Sequence, residues 1–198
     1  MAELLAHLAL SRCPHCKIAD PNVTLFNNYQ THDQSGGPAQ HWGVYWCSRC
    51  GGIVVGKAMQ PGGPLVDVYP KFASVDSTIP PRARTFLTQA LDSLHAPSGG
   101  VMLAASAVDA MLKEKGHTDG SLHSRIEAAA KAHLITEDMA AWAHEVRLDA
   151  NAERHADTSA ELPSTTDAQR TIDFALALAQ FLFVLPTRVA QGRQSAIK

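Results

Sequence analysis

From residue 1 to about residue 70, apolar positions come in short runs, NVTLFNNY, WGVYWC, GIVVGKAM and PLVDVYP, separated by the turn signals QSGGP and QPGGP. Short β-prone runs bounded by Gly and Pro predict strands. From about residue 78 the pattern becomes alanine-rich with helical periodicity, and the change falls near YPKFASVDST. Five helices are predicted there. IPPRARTFLTQALDSLHA begins with prolines suited to a first helical turn and ends before PSGG. VMLAASAVDAMLKEKG spaces Val101, Ala104, Ala105, Val108, Met111 and Leu112 along one face, with Gly116 to close it in the left-handed conformation. SLHSRIEAAAKAH turns Leu122, Ile126 and Ala129 inward. Thr136 caps TEDMAAWAHEVRLDANAERH, whose first turn holds Glu137 and Asp138, the charge a helix N-terminus favours. TTDAQRTIDFALALAQFLFVLP is apolar on nearly all sides in its second half, which puts it at the bundle centre or in a subunit interface. The chain thus reads as α+β: a small β domain over 1–72, a helical bundle over 78–187 and a polar tail over 188–198.

A length of 198 residues suits a small domain joined to a medium one, and 45% hydrophobic with 18% charged residues is a globular composition. A formal charge of −2 and a pI near 6.5 leave no global basic field, so any nucleic-acid contact needs a local patch. MAELLAHLALSRC carries Glu3 and no basic leader, which argues against a signal peptide. The longest apolar run, Phe174 to Leu185, is shorter than the roughly 20 residues that cross a hydrocarbon core. A cytoplasmic protein without membrane association is expected.

The cysteines carry the strongest chemical signal. Cys13-Pro-His-Cys16 and Cys47-Ser-Arg-Cys50-Gly-Gly are two CxxC pairs with 30 mostly strand-like residues between them. Each CxxC turn presents two thiolates to one metal, and two turns complete a closed tetrahedral shell, the pattern of a zinc ribbon with structural Zn2+. Two disulfides or a thioredoxin-like redox pair are the alternatives. Arg12, Lys17 and Arg49 stand beside the thiols, and His15, His32 and His41 are further donors nearby. Trp42, Val44 and Trp46 share one face of a strand with Tyr45 on the other, a base-stacking platform or ordinary packing.

In the fourth helix His144, Arg147, Asn151 and His155 recur at spacings of three, four and four, a polar stripe. Arg147 and His155 suit an anion or an acidic side chain, and Asn151 suits local bonding. A solvated helix end has the same pattern.

The strings VDSTIPPRARTFLTQALDSL, VMLAASAVDAMLKEKG, SLHSRIEAAAKAHLIT, EVRLDANAERHAD and STTDAQRTIDFALALAQFLF together resemble an uncharacterised prokaryotic domain family with an "IR..GN.AAH" segment. That family is grouped with the HEPN superfamily of helical bundles, and many members carry an N-terminal zinc ribbon ending in YP, like Tyr69-Pro70. By position, Arg147, Asn151 and His155 match the family Arg, Asn and His; Asp109 stands where the family has Glu, and Ala150 replaces its Gly. HEPN domains include metal-independent RNases, typically dimers using Arg and His, and noncatalytic binding domains. Their catalytic pattern places four to six residues between Arg and His, whereas seven separate Arg147 from His155.

The resemblance therefore implies a zinc-binding, HEPN-like binding or scaffold module in a nucleic-acid or defence setting. A metal-independent ribonuclease of toxin or defence type using Arg147 and His155 is the alternative, and a protein-interaction adaptor is a third reading. A homodimer through the last helix, with Phe174, Leu178, Phe181 and Leu185 contributing, is expected, as is an RNA or protein partner. Arg147, Asn151 and His155 are expected together at one end of the bundle, with Arg147 paired to Asp109 or Glu145 and Asn151 bonded to backbone.

Overall fold

All four apolar runs of the first part form strands: β1 (Val23–Thr31), β2 (Gln40–Cys47), β3 (Ile53–Ala58) and β4 (Leu65–Tyr69). They make one antiparallel sheet in the order β1-β2-β3-β4, each strand paired with its sequence neighbour. The structure, a computed structural model, describes residues 2–72, 74–155 and 161–195. Met1–Ala73 and Ser74–Lys198 are separate units.

Period-two alternation fixes the faces of β2. Tyr45 is fully buried, with Leu8, Val23 and Val54 around it, while Trp46 on the opposite face is 43% exposed. The aromatic that packs is thus Tyr45, and its hydroxyl donates to Leu5 O at 2.9 Å, tying the N-terminal segment to the sheet. Gly43, two residues earlier on the same face, leaves the space for this ring: a Cβ there would lie 2.5 Å from it.

The helical unit contains α1 (Pro81–Asp92), α2 (Pro97–Glu114), α3 (Leu122–Lys131), α4 (Glu137–His155) and α5 (Thr165–Ser195). The centre is α2, which packs against all four others. Val101, Ala104, Ala105, Val108, Met111 and Leu112 are all buried, as expected, and so are Ala107 and Ala110 on its other side. Small alanines let neighbours approach α2 from several directions, which suits it to the middle of the unit. Thr136 Oγ1 accepts from Met139 N at 3.1 Å, and Gly116 ends α2 with φ +93°, both as expected.

Two boundaries differ from the sequence reading. PSGG is the first turn of α2, with Pro97 in the first-turn position where its missing N–H has no cost. The last helix also runs through Pro186 into the segment expected as a polar tail, of which residues 196–198 lie outside the described residues. A π turn at Gln180–Val184 makes this passage possible. The Leu185 N–H bonds to Gln180 O, five residues back, and the widened turn relieves the clash that a proline ring makes in a regular helix.

By length and composition α5 is able to cross a membrane, with a best-window mean hydropathy of 1.6. Part of its apolar surface nevertheless packs inside the unit. Phe174 and Leu178, expected at a subunit interface, are each 1% exposed, and Phe174 stacks on Trp142 with ring centroids 4.9 Å apart. Phe181 and Leu185 remain 41% and 48% exposed. Phe174→Ala should therefore lower unfolding free energy by about 3–5 kcal/mol in denaturant titrations. Phe181→Ala, 41% exposed within the chain, should cost clearly less than Phe174→Ala; equal costs would show that the two residues share one environment.

Candidate functional site

The two CxxC segments fold alike. Cys13 N donates to Ile18 O at 3.0 Å and Lys17 N to Cys13 O at 3.1 Å; Cys47 N donates to Gly52 O at 2.9 Å and Gly51 N to Cys47 O at 2.8 Å. The fourth residue after the first cysteine is left-handed in both, Lys17 at φ +59° and Gly51 at φ +71°. At position 51 glycine adopts this conformation without strain. These twin turns bring the sulfur atoms of Cys13, Cys16, Cys47 and Cys50 within 4.8 Å of one another. All four are free thiols, with Cys13 Sγ and Cys50 Sγ 3.9 Å apart.

The four thiols differ in their surroundings. Burial pushes the Cys13 thiol up to about 12. At Cys47 burial also acts upward, but the N–H groups of Cys50 and Arg49 outweigh it and bring the thiol down to about 7. A metal ion bound among them would favour the thiolate form at every one of the four. Donor set and spacing fit a four-coordinate metal site. His15 is committed elsewhere, its Nε2 lying 2.7 Å from Ile53 O; His32 meets Gln30 and Gly37.

A second site lies in the helical unit, a cleft of about 640 Å³ among α1, α2, α3 and α4. Among the described residues five cations line it, Arg82, Lys113, Arg125, Arg147 and Arg154, with Asp109 as the one lining carboxylate. The N-terminal end of α3, at Ser121 and Leu122, opens on the same space and adds the positive end of its helix dipole. Asp109 is already engaged. Its Oδ1 accepts from Arg125 Nε at 2.7 Å, and its Oδ2 meets Lys113 Nζ at 2.5 Å. Arg125, 8% exposed, also donates from Nη1 to the carbonyls of Thr118 and Gly120, clamping the α2–α3 connection.

Arg147 lines the cleft, and among the described residues it pairs with neither Asp109 nor Glu145. Its Nε is buried without a hydrogen-bond partner among the described residues. A buried guanidinium N–H with no acceptor is costly, and a bound anion or water would satisfy it. Asn151 lines the cleft as well; His155 does not, and is exposed. Helix geometry explains this. At about 100° per residue, a position seven after Arg147 points within about 20° of it, whereas one eight after is turned by about 80°. Arg154 therefore takes the place in the cleft that the sequence reading gave to His155. Ala156 and Asp157, the end of that motif, lie outside the described residues.

Sequence reasoning missed Arg82, Lys113, Arg125 and Arg154. A signal existed for Arg125: it lies three residues after Leu122 and four before Ala129, on the inward stripe of α3, where an unpaired charge is untenable.

The model of the family described as "Domain of unknown function (DUF4145)" matches residues 88–196, more than half of the chain. The protein belongs to this family. No curated protein and no solved structure matches the chain.

Asp109→Asn keeps the size of the side chain and removes the charge from Arg125 and Lys113. It should cost roughly 1.5–3 kcal/mol of unfolding free energy, the range for hydrogen bonds to charged groups. A cost within the scatter of surface mutations would show that the carbonyls of residues 118–120 suffice for Arg125.

Proposed function

We propose that the protein is a binding module in which a zinc ribbon, with Zn2+ held by Cys13, Cys16, Cys47 and Cys50 as a structural ion, accompanies a HEPN-like helical bundle whose cleft takes a phosphate-bearing ligand, RNA in particular. The observation that carries the ligand class is the charge of the cleft. Among the described residues five cations face one carboxylate that two of them already use, and the Arg147 Nε is left without an acceptor. Guanidinium groups with adjacent amides suit phosphate oxygens. In a chain of net charge −2 this is the local patch that nucleic-acid contact requires.

Binding is favoured over a metal-independent ribonuclease because His155, its acid–base group, lies outside the cleft that Arg147 lines. The adaptor reading has no comparable support, since the cleft is polar and cationic. A homodimer is part of the proposal: Phe181, Leu185 and Val189 form an exposed apolar stripe at i, i+4 and i+8 on α5.

Fluorescence anisotropy with a short single-stranded RNA tests the cleft. Arg147→Glu with Arg154→Glu should weaken binding at least tenfold, and the wild-type salt slope, at about 0.7 per phosphate neutralised, should be roughly 2 to 3. Unchanged affinity would remove RNA from the cleft. The same RNA incubated with protein in EDTA should stay intact. Cleavage that disappears in His155→Ala would instead establish the ribonuclease.

Native mass spectrometry addresses metal and assembly together. The expected species is a dimer with one zinc per chain, and Cys47→Ser should lose the zinc and the fold of the first unit while keeping helical circular dichroism. A metal-free chain refutes the ribbon, and a monomer across micromolar concentrations refutes the α5 interface.

A further inference from the structure

Beside the cleft, α3 and α4 bring together a set of donors that neither the thiol centre nor the anion reading uses. His123 and Glu127 stand one turn apart on α3, and His144 faces them from α4. One ligand atom from each lies within 4.8 Å of the others. His144 Nε2 is 2.6 Å from Glu127 Oε1, and the two imidazole rings stack with centroids 4.7 Å apart, tilted by 38°. An imidazole nitrogen and a carboxylate oxygen so close need a proton or a cation between their lone pairs.

We propose that His123, Glu127 and His144 form a binding site for a divalent transition metal of the zinc class, with at least one coordination position left to water or an added ligand. Two imidazoles and one carboxylate suit Zn2+, Co2+ or Ni2+; Ca2+ and Mg2+ take all-oxygen shells. Around a tetrahedral ion with bonds of about 2.0–2.2 Å, ligand atoms sit roughly 3.4 Å apart. Reaching that spacing from within 4.8 Å asks only for rotation of exposed side chains. His123 is exposed and the Glu127 side chain is 59% exposed, while His144, at 22%, is the anchored member.

The i, i+4 spacing gives α3 two ligands on one face, so helix geometry fixes their separation before any metal arrives. His144 Nδ1 is buried and has no hydrogen-bond partner among the described residues. Tight sites give the second imidazole nitrogen an acceptor. Its absence makes this an exchangeable site, unlike the closed four-thiol centre in the other unit. His123 also lines the cationic cleft, so an ion held here adds positive charge at its rim. The metal site itself does not depend on what the cleft binds.

Equilibrium dialysis of the full chain against micromolar Zn2+ decides the matter, beside His123→Ala, His144→Ala and Glu127→Gln. The wild type should hold one more zinc per chain than either histidine variant, and Glu127→Gln should bind that ion at least tenfold more weakly. Added Zn2+ should raise the melting temperature of the wild type and leave that of His123→Ala, an exposed substitution that keeps the helical fold, in place. Equal uptake by the wild type and His123→Ala overturns the site. The four-thiol centre is common to all four proteins and cancels from the comparison, so neither its failure nor that of RNA binding can imitate this result.

Discussion

Asp109 is the residue on which the character of the helical unit turns. It is the only carboxylate lining the cleft among the described residues, and both of its oxygens are committed, one to the buried Arg125 and one to Lys113. Arg125 in turn holds the carbonyls of the α2–α3 connection. A guanidinium this buried cannot be left without an anion, so Asp109 serves the fold first. The consequence falls on Arg147, which lines the same cleft and finds no acceptor for its Nε among the described residues. Had Asp109 faced Arg147 instead, the two charges would have cancelled within the protein. The cleft is cationic because its one internal counter-charge is spent on holding α2, α3 and their connection together.

The two units solve the problem of stability differently. The sheet unit has four buried side chains in its apolar cluster, Leu8, Val23, Tyr45 and Val54, too few for comfort in a domain of this size. What it adds is the convergence of four thiols at one end of the sheet, where one ion is able to cross-link both knuckles. The helical unit needs no such aid, since α2 buries side chains around most of its circumference. Its cleft residues therefore stand on packed helices, which hold them in place before a ligand arrives.

What the sequence disclosed and what it hid follow from the range of each signal. The strands and the thiol cluster were legible because alternation, turn residues and CxxC spacing are local. The inward face of α2 was legible for the same reason. Whether the apolar surface of α5 met its own chain or another was not, because periodicity reports that a face must be covered and not by what; Phe174 and Leu178 turned out to lie inside. PSGG and Pro186 looked like terminators because their usual effect is to end helices, yet a first-turn position and a π turn absorbed them. The polar stripe was half right. Steps of four residues drift by about 40° each, so Arg147 and Asn151 share a face while His155 has left it and Arg154 has entered.

The acidity of the whole chain sharpens what the cleft is able to do. With a net charge of −2, and a cluster of cations gathered in one cleft, the remaining surface is on balance negative. At physiological salt the field of an exposed charge fades over about 8 Å. A polyanion approaching at random thus meets little attraction, and feels the arginines only when one of its phosphates enters the cleft. Within it, partial burial weakens screening and raises the worth of each contact. A volume of about 640 Å³ lies within the range of small-ligand sites, which suits the proposed phosphate-bearing ligand as a short segment rather than a duplex. On the proposed reading, selectivity would come from shape and reach, so that a chain of net charge −2 would take a phosphate in the cleft without a basic surface to attract bulk nucleic acid.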